Sequence, residues 1–137
     1  YAPLELSKKQ IRLLKLLNGE WDEQIRCELY VVSLGDKPKY EALSYVWGSP
    51  TDLVGIDVNG SLFSATQNLH AALRRLREQI RDAAHAESDG DSRVLWVDAV
   101  CINQQDAEEK RHQVELMGDI YSRTTRGLLW LGEEPDE

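Results

Sequence analysis

Cysteine, phenylalanine, methionine and proline are all scarce in this 137-residue chain, with two, one, one and four residues respectively. Cys27 and Cys101 lie far apart in apolar, strand-like settings. Two thiols are too few for a disulfide framework or a cysteine zinc site, and they point to a reducing, cytoplasmic compartment. No stretch approaches the ~18 apolar residues of a membrane span, so none is expected. Positive charge is also short. Sixteen Lys and Arg stand against 24 Asp and Glu, a formal net charge of -8. That balance argues against a nucleic-acid partner, which needs clustered cations to neutralise phosphates. The one Arg-rich stretch, Arg74, Arg75, Arg77 and Arg81, is interleaved with apolar residues and reads as a solvated helix face. No Gly-x-Gly-x-x-Gly, Walker lysine loop or spaced set of metal ligands occurs, so no cofactor or metal is required. What is present is ordinary globular composition, 42% hydrophobic and 29% charged, in a length that suits one domain with one core. The chain starts at Tyr1 rather than Met and ends in an acidic tail, and is expected to be part of a longer protein.

Apolar periodicity gives most of the elements. Ile11 to Leu17 fits either a short helix or an extended segment. Ile25, Cys27, Leu29 and Val31 alternate with polar residues, the period of a strand with one wet face. Glu41 to Trp47, stopped by Gly48-Ser49-Pro50, suits a strand buried on both faces. Ile56 and Val58, then Asn59-Gly60, then Leu62 and Phe63 predict a hairpin whose turn needs positive φ twice. A helix follows, capped by Ser64 with Gln67 or by Thr66, with Leu69, Leu73, Leu76 and Ile80 as its apolar stripe. After a polar loop, Val94 to Val97 predicts a strand ending at Asp98. Asp106 with Glu109 opens a second helix with Val114, Met117, Ile120 and Tyr121 facing inward, and Leu128 to Leu131 is a last strand. Alternating strands and helices with apolar central strands imply an α/β fold with a mostly parallel sheet flanked by helices.

Ligands of such sheets collect beyond the carboxyl ends of the strands. The polar and aromatic residues expected on that rim are Ser44, Tyr45, Trp47, Gly48, Asp98, Asn103 and Gln104. Each has a structural reading beside the functional one. Asp98 serves either a ligand or the backbone N–H groups of its own loop. Trp47 and Trp96 suit the core, and Ser44 lacks the setting of a nucleophile. Asn103 and Gln104 hold the loop or contact a ligand. Cys101, with His112 or His70 as base, is a nucleophile only if its thiol is exposed and activated. Glu109 reads as a helix N-terminal acid. No residue stands out as catalytic.

Taken together, Tyr40 to Gly48, Val58-Asn59-Gly60, Thr66 to Leu69, Leu95 to Gln104, Gln113-Val114 and Leu129 to Gly132 resemble, in order, the motifs of the fungal heterokaryon-incompatibility (HET) domain. Where the third motif usually carries Glu-Arg, this chain has Glu109-Lys110, with Arg111 one place later, which would weaken or shift a bidentate guanidinium contact. The resemblance implies a single domain, with residues 1–39 as lead-in, 40–132 as the motif-bearing core and 133–137 as tail. It implies fungal non-self recognition and regulated cell death. HET domains are in turn distantly similar to Toll/interleukin-1-receptor (TIR) domains, which have a flavodoxin-like sheet. Against that fold the hairpin and the N-terminal strand are additions. Some TIR domains hydrolyse NAD and others are self-associating adaptors. The resemblance therefore implies self-association and binding of other protein modules, and NAD as a nucleotide substrate if the domain is an enzyme. The catalytic acid would then follow residue 137; Glu133 and Glu134 stand near that point without being assigned the role.

Overall fold

The computed structural model describes residues 3–45, 51–83 and 92–130. Its strands are β1 (Gln10–Leu17), β2 (Arg26–Ser33), β3 (Glu41–Tyr45), β4 (Val54–Val58), β5 (Ser61–Ala65), β6 (Ser92–Trp96) and β7 (Arg126–Trp130). Its helices are α1 (Gln67–Ala83), the one-turn α2 (Asp98–Cys101) and α3 (Ala107–Ser122). Hydrogen bonding orders the strands β5-β4-β2-β1-β6-β3-β7. β2 runs parallel to β4 and β3 parallel to β6, while β4 and β5 are antiparallel. The class is α/β as expected, with a mixed rather than simply parallel sheet, because the hairpin contributes its strands to the same sheet.

The segment left open between helix and extended chain is β1, fourth in the strand order rather than an appendage. Ile11, Arg12, Leu13 and Leu14 are buried in succession. Only a strand covered on both faces buries consecutive residues in this way. By chain contacts the protein forms two compact units, Tyr1–Leu14, Leu29–Leu43 and Val94–Leu128 in one, Lys15–Glu28, Ser44–Arg93 and Leu129–Glu137 in the other.

In the first unit Glu41 pairs with Leu95 and Ala42 with Trp96. Ala42 and Leu43 are both buried, as a two-sided strand requires. Trp96 is fully buried and meets Tyr121 edge to face, centroids 5.6 Å apart at 82°. That geometry suits the ring quadrupoles and confirms Trp96 as core. The Tyr40 carbonyl accepts from the Thr124 and Thr125 hydroxyls at 2.8 and 2.7 Å, fixing the turn before β7 against the start of β3. The inner face of α3 differs from the expected one. Glu109, Gln113, Leu116 and Ile120 are buried, while Val114 is 52% exposed. Ile120 is buried and Tyr121 packs on Trp96 as expected, but two of the inward positions, Glu109 and Gln113, are polar and escape a reading of apolar periodicity.

In the second unit the hairpin forms as predicted. Asn59 (φ 53) and Gly60 (φ 83) are both left-handed, and Asp57 Oδ1 accepts the Gly60 N–H at 2.7 Å. The α1 cap is Thr66, whose Oγ1 accepts from Leu69 N at 3.2 Å. The alternative box of Ser64 and Gln67 does not form. Ser64 lies in β5, and the Gln67 amide donates to the Asp52 carbonyl. Leu69, Leu73, Leu76 and Ile80 are buried as one stripe, and α1 lies against β4. Burial of each such side chain stabilises by about 1.5–3 kcal/mol. The Arg-rich face is not wholly solvated, because Arg77 is only 2% exposed. In β2, Ile25 just before it and Cys27 are buried as the alternation requires, but Val31 is 37% exposed.

Candidate functional site

The candidate rim after β6 is built by α2 and the loop that follows. β6 stops at Trp96, and Asp98 is the first residue of α2 rather than the last of a strand. Val97 caps that turn, donating its N–H to the Cys101 sulfur at 3.4 Å and accepting from Cys101 N at 2.8 Å. Cys101 is fully buried with its sulfur engaged, so it offers no nucleophile to a substrate. The Asp98 carbonyl accepts from Ile102 N and from the Gln104 amide, at 3.3 and 2.9 Å. Asn103 Oδ1 accepts from Gln105 N at 3.1 Å. The side chains of Asn103 and Gln104 thus bond within their own loop.

The centre of this loop is an ion pair that sequence reasoning missed. Glu109 is an acid of the first turn of α3, as expected, but its carboxylate also has a distant partner. It is 4% exposed and accepts both Arg12 nitrogens, Nη1 to Oε2 and Nη2 to Oε1, each at 2.7 Å. Its Oε2 also accepts the Asn103 N–H at 2.6 Å, and Arg12 Nη1 donates to the Cys101 carbonyl at 3.1 Å. Asp106 caps α3 by accepting from Glu109 N at 3.1 Å, so only half of the expected capping box forms. A bidentate guanidinium does serve this motif, but it comes from β1, and Arg111 is exposed. One signal was available. Arg12 stands in an apolar run that buries both faces, and a charge there requires a partner.

The other expected rim residues are described by element. Ser44 and Tyr45 end β3 half-buried and belong to the second unit. Trp47 and Gly48 lie outside the described residues, as do Leu131, Gly132, Glu133 and Glu134. His112 is half-buried on α3, and His70 on α1 has its imidazole pKa lowered by burial and by the charges of Arg74 and Arg77. The Cys27 thiol is pushed up to about 12 by burial and by Asp57, against the pull of Arg77. It is inert at neutral pH.

The second unit also carries an open cleft of about 410 Å³ lined by Asn18, Gly19, Glu20, Glu23 and Arg26. Its loop is held from behind by Arg77, which donates to the carbonyls of Trp21, Glu23 and Gln24 at 3.2, 2.9 and 3.0 Å. At Gly19 a Cβ would come within 3.3 Å of Arg77 Nη1, a tight approach between the loop and the guanidinium. Among the described residues no group of three or more His, Cys, Asp or Glu could hold a metal ion, and no helix is long and apolar enough to cross a membrane.

Fold and loop together define an α/β domain whose most elaborated feature is the α2–α3 loop anchored on a buried ion pair. Comparison with known proteins supplies the family. The description of the heterokaryon incompatibility protein (HET) family matches residues 40–137, and the chain belongs to that family. It is 38% identical over 136 residues to heterokaryon incompatibility protein 6, OR allele, of Neurospora crassa, a match covering 93% of this chain and 19% of the relative. The chain therefore spans about a fifth of that relative's length. No solved structure matches it.

Proposed function

We propose that this chain is the HET module of a longer, cytoplasmic fungal protein of non-self recognition and programmed cell death. Family membership carries the reading, joined to the relative whose name records heterokaryon incompatibility. On this reading the module acts by association, binding its own kind and other protein modules without turnover. Polar and thiol groups around the α2–α3 loop are engaged in holding the fold, which favours this mode. Cys101 is sealed in the core, Glu109 is committed to Arg12, and Asn103 and Gln104 bond within their loop.

A second reading is TIR-like hydrolysis of NAD. It draws on the parallel pairing of β3 with β6, since nucleotide sites of parallel sheets open at the carboxyl ends of strands. Asp98, Asn103 and Gln104 are its candidates after β6. Expression of the full-length protein in a fungal host, with cell death and the NAD pool followed together, separates the two. Death with an intact NAD pool supports association. NAD loss with nicotinamide release, abolished by Asp98→Asn, supports hydrolysis. Continued growth of cells that accumulate the folded protein together with its incompatible partner would overturn both.

A further inference from the structure

β5 ends the strand order, and among the described residues no strand pairs beyond it. The ladder fixes which of its groups face outward. Asp57 and Asn59 donate their N–H groups to Ile25 and Cys27, at the start of β2. Asp57 therefore turns its N–H away from Leu62, the residue opposite it. The Asn59-Gly60 turn closes on the Val58–Ser61 pair, and bonded and non-bonded pairs alternate along an antiparallel ladder. Ser61, Phe63 and Ala65 bond to β4, and the N–H and C=O groups of Leu62 and Ser64 face the open edge.

Edge strands are ordinarily guarded by charge, proline or a bulge. β5 reads Ser-Leu-Phe-Ser-Ala, with no charge and no proline, and its register against β4 is continuous. Leu62 is 74% exposed, lying across Gly55, where a Cβ would come within 2.6 Å of its Cδ1. A chain of net charge -8 repels copies of itself. An uncharged strand is where two copies can meet without bringing like charges together. The outward groups are also symmetric about Phe63, which makes the edge complementary to itself.

We propose that β5 is a self-association edge, on which two copies join antiparallel about a two-fold axis at Phe63 and extend the sheet. Leu62 then faces Ser64 of the partner subunit and exchanges both backbone hydrogen bonds with it, and Phe63 faces Phe63 of the partner subunit. Two five-residue strands bury less than the ~1,200 Å² of a stable complex. The dimer is therefore weak alone and fills when copies are clustered. The geometry stands independently, while its biological role rests on the association reading above.

Sedimentation velocity of the intact protein across a concentration series tests this. The expected result is a concentration-dependent dimer. Leu62→Lys and Ser64→Pro should each weaken it at least roughly tenfold while the circular dichroism spectrum stays unchanged. Leu129→Lys, at a comparably exposed leucine on β7 (71%), should leave the dimer intact. If Ser64→Pro misfolds, Leu62→Lys decides, because that side chain stands in solvent. A monomer at every concentration overturns the proposal, as does a dimer indifferent to Leu62→Lys or equally lost with Leu129→Lys. A dimer abolished by Leu62→Lys in a protein that still kills upholds the edge and overturns its role in death.

Discussion

Arg12 and Arg77 are each 2% exposed, yet the two units accommodate a buried guanidinium by different means. Arg12 meets the Glu109 carboxylate in two 2.7 Å bonds, an ion pair joining β1 to α3 across 97 positions. Arg77 meets three backbone carbonyls of the 21–24 loop. The first arrangement matches charge with charge, and its desolvation cost is offset only while both partners are present. The second spreads the charge over peptide dipoles, and here the loop depends on the arginine as much as the reverse. A lone buried cation on a strand thus signals a distant acid, whereas one on a helix can signal a loop to be held.

The largest test of this contrast is Glu109→Gln, which keeps the shape and leaves Arg12 buried without its counter-charge. We expect a loss of about 3–5 kcal/mol in urea unfolding. Replacing both partners, Arg12→Met with Glu109→Leu, should recover most of it, and a double variant as unstable as the single would break the ion-pair account. Arg77→Ala strands three carbonyls and should cost about 3 kcal/mol, with faster proteolysis confined to the 18–24 loop. Thr66→Ala removes the α1 cap and should cost about 1 kcal/mol by the same measurement.

A smaller effect follows from His70. Burial, then Arg74 and Arg77, hold its imidazole below the ordinary 6.5, so on acidification the unfolded chain takes the proton first. The stability from neutral His70 is complete above 6.5 and declines as pH falls from 6.5 through the lower folded-state value. His70→Gln should flatten that stretch of the stability curve, and parallel curves would remove His70 from the account. Smallest of all, Val114→Ser should change stability by less than about 0.5 kcal/mol, since that side chain points outward.

The hairpin, the two-sided β3 and the α1 stripe were legible because each rests on a pattern within one element. Asn59-Gly60 needs only its own dihedrals, and Leu69 to Ile80 only helical spacing. Three features were not legible, for one physical reason. β1 is fixed by neighbours on both sides, the burial of Glu109 and Gln113 on α3 by their reach to Arg12 and Gln10, and the burial of Arg77 by a loop about fifty residues earlier. Each depends on a partner remote in sequence. At the candidate site, spacing placed Asn103 and Gln104 in the loop after β6 but could not separate loop support from ligand contact. The hydrogen bonds show loop support for both. Ser44 and Tyr45 were placed correctly at the end of β3.

The Arg12–Glu109 pair bears on how this chain can be cut. The family match begins at residue 40, but the counter-ion of Glu109 lies well before it. A fragment trimmed to that border would discard β1 and β2 and keep an acid whose cation had been left on the bench. Deletion variants should therefore place their amino-terminal junction ahead of Gln10, or they will compare misfolded chains and mistake a lost counter-charge for a lost activity.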